Sequence, residues 1–134
     1  MQSWERWSLE FDDRAPIYRQ IILQFSRAFV RGEIPPGARI PSIREMSAVL
    51  KVNTNTMQRV YQEMERDGLI SSKRGTGYFF TEEDDMLGKT QRALAFESLR
   101  RFVGEMRALG CRDEDIVSEL ITFIKEGDKN DAVN

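Results

Sequence analysis

Between Pro41 and Phe80 the chain reads PSIREMSAVLKVNTNTMQRVYQEMERDGLISSKRGTGYFF, and no other stretch restricts the possible folds so strongly. Ile43, Met46, Val49 and Leu50 recur at helical spacing after Ser42, whose hydroxyl can accept a backbone N–H while Glu45 reaches back in a reciprocal capping box. Lys51 to Thr54 break that pattern, and Asn53 suits the N-cap of a second helix. There Met57, Val60, Tyr61 and Met64 form one apolar stripe, and Gly68 follows Asp67 where a left-handed residue ends a helix. Two strand patterns, Leu69 to Ser72 and Tyr78 to Thr81, then flank a short basic loop. Ile70 and Phe79 are candidates for the buried face of that hairpin, and a slip of one residue would exchange its faces. The order predicted is helix, tight turn, helix, hairpin.

Opposite the apolar stripe, the second helix carries Thr54, Asn55, Gln58, Arg59 and Gln62. In a helix-turn-helix this end of the second helix enters the DNA major groove. Asn and Gln amides can pair bidentately with adenine, and Arg with guanine or phosphate. The loop Lys73-Arg74-Gly75-Thr76-Gly77 adds two cations and two glycines, which permit a tight turn and close approach to a phosphate or the minor groove.

With these residues in view the chain resembles the GntR family of bacterial winged helix-turn-helix regulators, and its short tail is most similar to the YtrA-like branch. The resemblance runs from about Pro16 to Phe80, through PIYRQI, PPGARIPSIREMSAVLKV, NTNTMQRVYQEMERDGLI and KRGTGYFF. It implies that Arg44 touches bases or phosphates, that the start of the second helix of the motif reads the groove, and that the wing glycine reaches the minor groove. Carried over by position, it implicates Arg44, Thr54, Asn55, Thr56, Gln58, Arg74, Gly75 and Thr76. Arg59 and Lys73 join them as cations on the same two elements. Thr54 stands where this branch often has Pro, and Gln58 where some branches have Arg, so the family's operator preference does not transfer.

The whole chain of 134 residues carries a net charge of −2, an average that hides segregation. Residues 14–81 hold 11 Lys and Arg against 5 Asp and Glu, whereas residues 1–13 net −3 and residues 82–134 net −5. Positive charge therefore lies on the segment expected to meet phosphate. A net of +6 is also what an ordinary solvated face can carry. No apolar run approaches the ~20 residues that span a bilayer, and the start MQSWERWSLEF lacks the order of a signal peptide. A cytoplasmic protein is expected, and the lone Cys111, with no intrachain partner, agrees.

Before the central stretch, Trp4 and Trp7 are expected to cover an apolar edge of the fold or of a partner subunit, and residues 8–11 to form a short strand before a turn at Asp12-Asp13. A scaffold helix follows from about Pro16 to Gly32, with Ile17, Ile21, Ile22, Phe25, Phe29 and Val30 inward. Tyr18 and Arg19 lie elsewhere on it, either as a partly buried aromatic and a surface cation or as backbone contacts to DNA. Pro35-Pro36-Gly37 ends this unit, and Arg39-Ile40 leads extended into Pro41.

Glu82-Glu83-Asp84-Asp85 marks a composition break and the start of a tail. A helix from about Met86 to Leu109 carries Leu87, Leu94, Ala95, Leu99, Phe102, Val103, Met106 and Leu109 on one side. Gly110 stops it, and Asp113 is expected to cap a last helix to about Glu126 with Ile116, Val117, Leu120, Ile121, Phe123 and Ile124 inward. These stripes exceed what an isolated helical hairpin can hide, so dimerisation through Leu94, Leu99, Phe102, Val103, Met106, Leu120, Ile121 and Ile124 is expected. Folding of the tail over its own head is the monomeric alternative.

The expected fold is thus mainly α with a small β-hairpin wing: a winged helix-turn-helix over 1–81, a two-helix dimerisation tail over 82–127 and a disordered end over 128–134. The expected function is a homodimeric transcription regulator, a repressor binding double-stranded DNA at an inverted-repeat operator. A protein-interaction module on the same scaffold is the alternative. The absence of His, of a phosphate loop and of a cysteine cluster argues against an enzyme, and no cofactor or metal is expected. A small-molecule effector has room only between tail helices at the dimer interface in this reading, and no residue identifies one.

Overall fold

The computed structural model describes Trp4, Trp7, Phe11, Asp12 and residues 14–127. The disordered end expected over 128–134 lies outside them, as do Asp13 of the turn and the strand over 8–11 apart from Phe11, which is in no strand.

Helix α1 (Ile17–Val30) begins directly after Pro16, whose carbonyl accepts from the Arg19 and Gln20 N–H groups. The Gln20 amide ties down the preceding segment, donating to the Ala15 and Asp12 carbonyls and accepting from Asp12 N–H. Ile21, Phe25, Ala28 and Phe29 are buried, and Ile22 and Val30 half-buried. Ile17, expected inward, is instead 44% exposed in the first turn.

Helix α2 (Ile43–Leu50) starts at Ser42, whose Oγ accepts from Glu45 N–H at 3.1 Å. Only this half of the expected capping box forms among the described residues. Helix α3 (Thr54–Arg66) starts at Asn53, whose side-chain oxygen accepts from Asn55 N–H at 2.7 Å. Its stripe of Met57, Val60, Tyr61 and Met64 is fully buried. At its end Gly68 takes φ +83°, its N–H bonding the Glu65 carbonyl and Leu69 N–H the Met64 carbonyl, a Schellman closure.

The turn between α2 and α3 holds a feature that composition does not announce: Lys51 is left-handed, at φ 56° and ψ 48°. A side chain there clashes with its own backbone, and glycine does not. Lys51→Gly is expected to stabilise the fold by about 0.5–1 kcal/mol. A urea midpoint followed by indole fluorescence checks this, and an unchanged or lower midpoint would show that the lysine side chain compensates locally.

The hairpin is part of a larger sheet. Strands β2 (Ile70–Lys73) and β3 (Gly77–Phe80) pair antiparallel, and β1 (Arg39–Ile40) pairs with the free edge of β3, giving the order β1-β3-β2. Ile70 stands opposite Phe80, and both are buried; Phe79, the sequence candidate, points to the other face and is half-buried. The register sets the correction on β3 alone, since residues paired across the ladder share a face and Ile70 pairs with Phe80. Phe80 packs against Phe29 at 5.6 Å, Phe25 at 6.2 Å and Trp4 at 6.3 Å between ring centroids, and Trp7 stacks on Phe25 at 4.8 Å. The indoles therefore cover an edge of the chain's own core.

Two compact units divide between Leu94 and Ala95, inside helix α4 (Asp84–Ala108). Asp84 and Asp85 fall in its first turn, where carboxylates complement the helix dipole. In the second unit α4 ends at Ala108, with Gly110 left-handed, and α5 (Asp113–Thr122) runs into a π-helical turn, Phe123–Gly127, rather than continuing as one α-helix to Glu126. Asp113 is not the cap. Arg112 holds that position, and Asp113 is the first helical residue, engaged by Arg107 through bonds of 2.9 and 3.0 Å. That pairing holds the Asp113 carboxyl below, and the Arg107 guanidinium above, its ordinary range. Within α4 and α5 of this single chain only Ile116 is buried.

Candidate nucleic-acid interface

The exposed face of α3 is built from the outside of a helix whose inside is fully committed to the core. Thr54, Asn55, Gln58, Arg59 and Gln62 are exposed, and Thr56 is half-buried beside Met57. Asn55, Gln58, Arg59, Gln62, Glu63 and Arg66 line one open concavity along this face. Among the described residues the side-chain amides of Asn55, Gln58 and Gln62 make no bond within the chain, so their donors and acceptors remain available for base edges. Arg44 is exposed on α2.

Below this face, Tyr61 fixes the placement of α3. Its buried hydroxyl donates to the Pro41 carbonyl at 2.6 Å, and its ring meets Tyr78 edge-on at 4.9 Å. Burial, with Tyr78 and Glu45 adding to it, pushes the phenol far above its ordinary range. That shift favours the neutral phenol, the form that donates to Pro41.

The wing is a three-residue loop, Arg74 to Thr76, closed by the Lys73–Gly77 pair. Thr76 donates to the Lys73 carbonyl through both N–H (2.9 Å) and Oγ1 (3.0 Å). Gly75 and Gly77 take φ +78° and +114°, values that side chains resist, which is why this tight loop needs both. Lys73, Arg74, Gly75 and Thr76 are all exposed, and Lys73 Nζ lies 4.8 Å from the Phe79 ring centroid. The outward Phe79 thus serves as a platform for a wing cation.

One cation differs from the rest. The Arg59 guanidinium carbon lies 3.8 Å from the centroid of the Tyr18 ring on α1, its Nη2 donates to the Tyr18 hydroxyl at 3.0 Å, and its Nε meets Glu63 Oε1 at 3.4 Å. A cation–π contact at an exposed site contributes about 0.5–1 kcal/mol, and an exposed ion pair about 0.2–1 kcal/mol. Sequence reasoning placed Tyr18 and Arg59 separately and had no signal to join them, since they stand 41 residues apart. Likewise unforeseen, Glu65 Oε2 accepts from Ser72 N–H at 3.2 Å and Ser72 Oγ at 2.7 Å, binding the end of α3 to the wing.

A groove-sized helix with free amides, set on a three-helix core and followed by a basic wing, defines a winged helix-turn-helix DNA-binding regulator. Residues 17–80 match the family described as bacterial regulatory proteins, gntR family, and the chain belongs to it. It is 40% identical over 118 residues to the HTH-type transcriptional regulator YhcF of Bacillus subtilis strain 168, covering 88% of this chain and 98% of that one. It is 31% identical over 129 residues to the HTH-type transcriptional repressor YtrA of the same organism, covering 92% and 99%. Among solved structures, a GntR family transcriptional regulator from Listeria monocytogenes superposes with a TM-score of 0.72 at 34% identity, covering 84% of this chain and 98% of that one. YtrA from Sulfolobus acidocaldarius, a GntR-family transcription factor, gives 0.52 at 28% identity over 68% and 94%. No helix among the described residues is long and apolar enough to cross a membrane.

Proposed function

We propose that this regulator is a homodimeric repressor that binds an inverted-repeat operator through two heads, residues 1–81, held together by tails, residues 82–127. The observation that carries the reading is the apolar surface left on the tail of a single chain. Phe96, Leu99, Leu109, Val117, Ile121, Phe123 and Ile124 are between 48% and 78% exposed. An apolar surface of this extent on a pair of helices favours association with a second copy. Two-fold pairing of heads then favours half-sites that repeat in inverted order. The repressor assignment draws on the likeness to YtrA of Bacillus subtilis, itself named a repressor. The test combines sedimentation equilibrium with selection of bound fragments from a genomic pool. A dimer and an enriched inverted repeat are expected, whereas a monomer that enriches no fragment would favour an interaction module instead.

Within this reading Arg44 and the start of α3, with Gln58 at its centre, discriminate bases, while Lys73, Arg74, Gly75 and Thr76 hold the backbone or minor groove. Arg44→Ala and Gln58→Ala are each expected to lower the preference for the selected duplex over a scrambled one by about 1–3 kcal/mol per head. Competition gel shifts measure the ratio directly. An unchanged ratio would remove the residue from base reading.

A further inference from the structure

Tyr18 lies on the scaffold helix, outside every element given a reading role above, yet two guanidinium groups converge on it. Its phenol oxygen accepts from Arg59 Nη2 at 3.0 Å and from Arg19 Nε at 3.4 Å, while its ring stacks under the Arg59 guanidinium. Glu63 pairs with Arg59 at 3.4 Å. Beyond the bonds to Tyr18 and Glu63, the Arg59 guanidinium keeps further N–H donors at the border between α1 and α3. A phosphodiester carries one negative charge and accepts through oxygens that can be approached from many directions.

We infer that Tyr18 is a positioning residue that assigns Arg59 to a backbone phosphate and withholds it from the bases. The inference rests on the regulator reading above and deepens it. To read guanine, an arginine must turn its planar fork edge-on to O6 and N7. Arg59 can do so only by leaving the ring, the phenol oxygen and the Glu63 carboxylate together. A phosphate demands no such turn. The Arg59 side chain is 57% exposed, so its remaining N–H groups can meet one while the stack persists. Base discrimination on α3 then falls to Thr54, Asn55, Gln58 and Gln62, whose side chains are not held by α1. The scaffold helix becomes part of the grip on DNA through one aromatic side chain.

The experiment uses the full chain, a duplex that the wild-type chain selects from a random pool, and a scrambled duplex of equal length, with Kd measured across a salt series. Arg59→Ala and Tyr18→Leu are each expected to weaken both duplexes on the order of tenfold and to leave their ratio unchanged. The slope of log affinity against log salt should flatten by about 0.9 for each head engaged. Because Tyr18 acts through Arg59, the double variant should bind no more weakly than Arg59→Ala alone. Tyr18→Phe, which keeps the ring and removes the oxygen, should fall between wild type and Tyr18→Leu. A drop in the selected-to-scrambled ratio for Arg59→Ala would overturn the inference by making Arg59 a base reader. A wild-type salt slope for Tyr18→Leu would overturn it by making the stack merely structural. Should Tyr18→Leu fail to fold, Tyr18→Phe decides in the same way, an unchanged slope and affinity counting against the inference. A wild-type chain with no preference between duplexes fails the regulator reading separately, and slopes on the scrambled duplex still judge Tyr18.

Discussion

Phe80→Ala is expected to lower the stability of the winged head by about 3–5 kcal/mol, a large share of the ~5–15 kcal/mol that keeps a domain folded. The ring is 1% exposed and is packed by Trp4, Phe25 and Phe29. Its own backbone cannot slide in to refill the space. Phe80 N–H is bound to the Ala38 carbonyl at 2.8 Å, and its carbonyl accepts from Gly37 N–H at 3.0 Å. A cavity at a position held by two ladder bonds collapses poorly, which places the loss toward the upper end of large-to-small substitutions. Trp4 and Trp7 both sit in this cluster, so indole emission during urea unfolding reports on the head alone. A loss below about 1.5 kcal/mol, the range of tolerated core swaps, would mean that the aromatic cluster is not the centre of the core.

If the chain pairs through its tail as proposed, the double substitution Leu99→Asp with Ile121→Asp is expected to act in the opposite way, sparing the fold of the single chain and abolishing association. Both side chains are about half exposed, at 51% and 48%, so a carboxylate at either position remains in water when one chain folds. Between two copies it would be desolvated without a counter-charge, a state that association does not tolerate. Loss of the second head should weaken binding to an inverted repeat by about 10²–10⁴-fold, the usual gain from linking two sites, while binding to one half-site changes little. Sedimentation equilibrium and gel shifts on full and half operators measure the two effects. A variant that stays dimeric would place the contact on another face of the tail.

The reading head was legible where periodicity and capping chemistry coincide. The α3 stripe needed only the spacing of Met57, Val60, Tyr61 and Met64, and all four are buried. Ser42 and Asn53 start helices as their short polar side chains suggest. The pairing of β1 was not legible, because two residues, Arg39 and Ile40, are too few to show alternation. The run Gly77-Tyr78-Phe79-Phe80 is aromatic on both faces, so hydrophobicity could not choose between Phe79 and Phe80; the Ile70 pairing does. Lys51 escaped notice because a left-handed lysine has no compositional mark. Asp113 resembled a cap, yet Arg107 engages it one residue later, inside the helix. In the interface, exposed groups of α3 and the wing followed from helix phase and turn chemistry. The Tyr18–Arg59 stack and the Glu65–Ser72 bonds did not, since contacts between distant segments leave no trace in local spacing.

The Glu65–Ser72 bonds have a thermodynamic consequence for DNA recognition. One carboxylate oxygen holds both the N–H and the hydroxyl of the strand that leads into the wing, so the recognition helix and the first wing strand are joined before DNA arrives. Ordering entropy for bringing these two reading elements into mutual register is therefore lost during folding and not again at the operator. Glu65→Ala, which removes the acceptor of both bonds, would return that loss to the binding step. Its signature would be a less favourable binding entropy in calorimetry, with the protein–DNA contacts themselves unaltered.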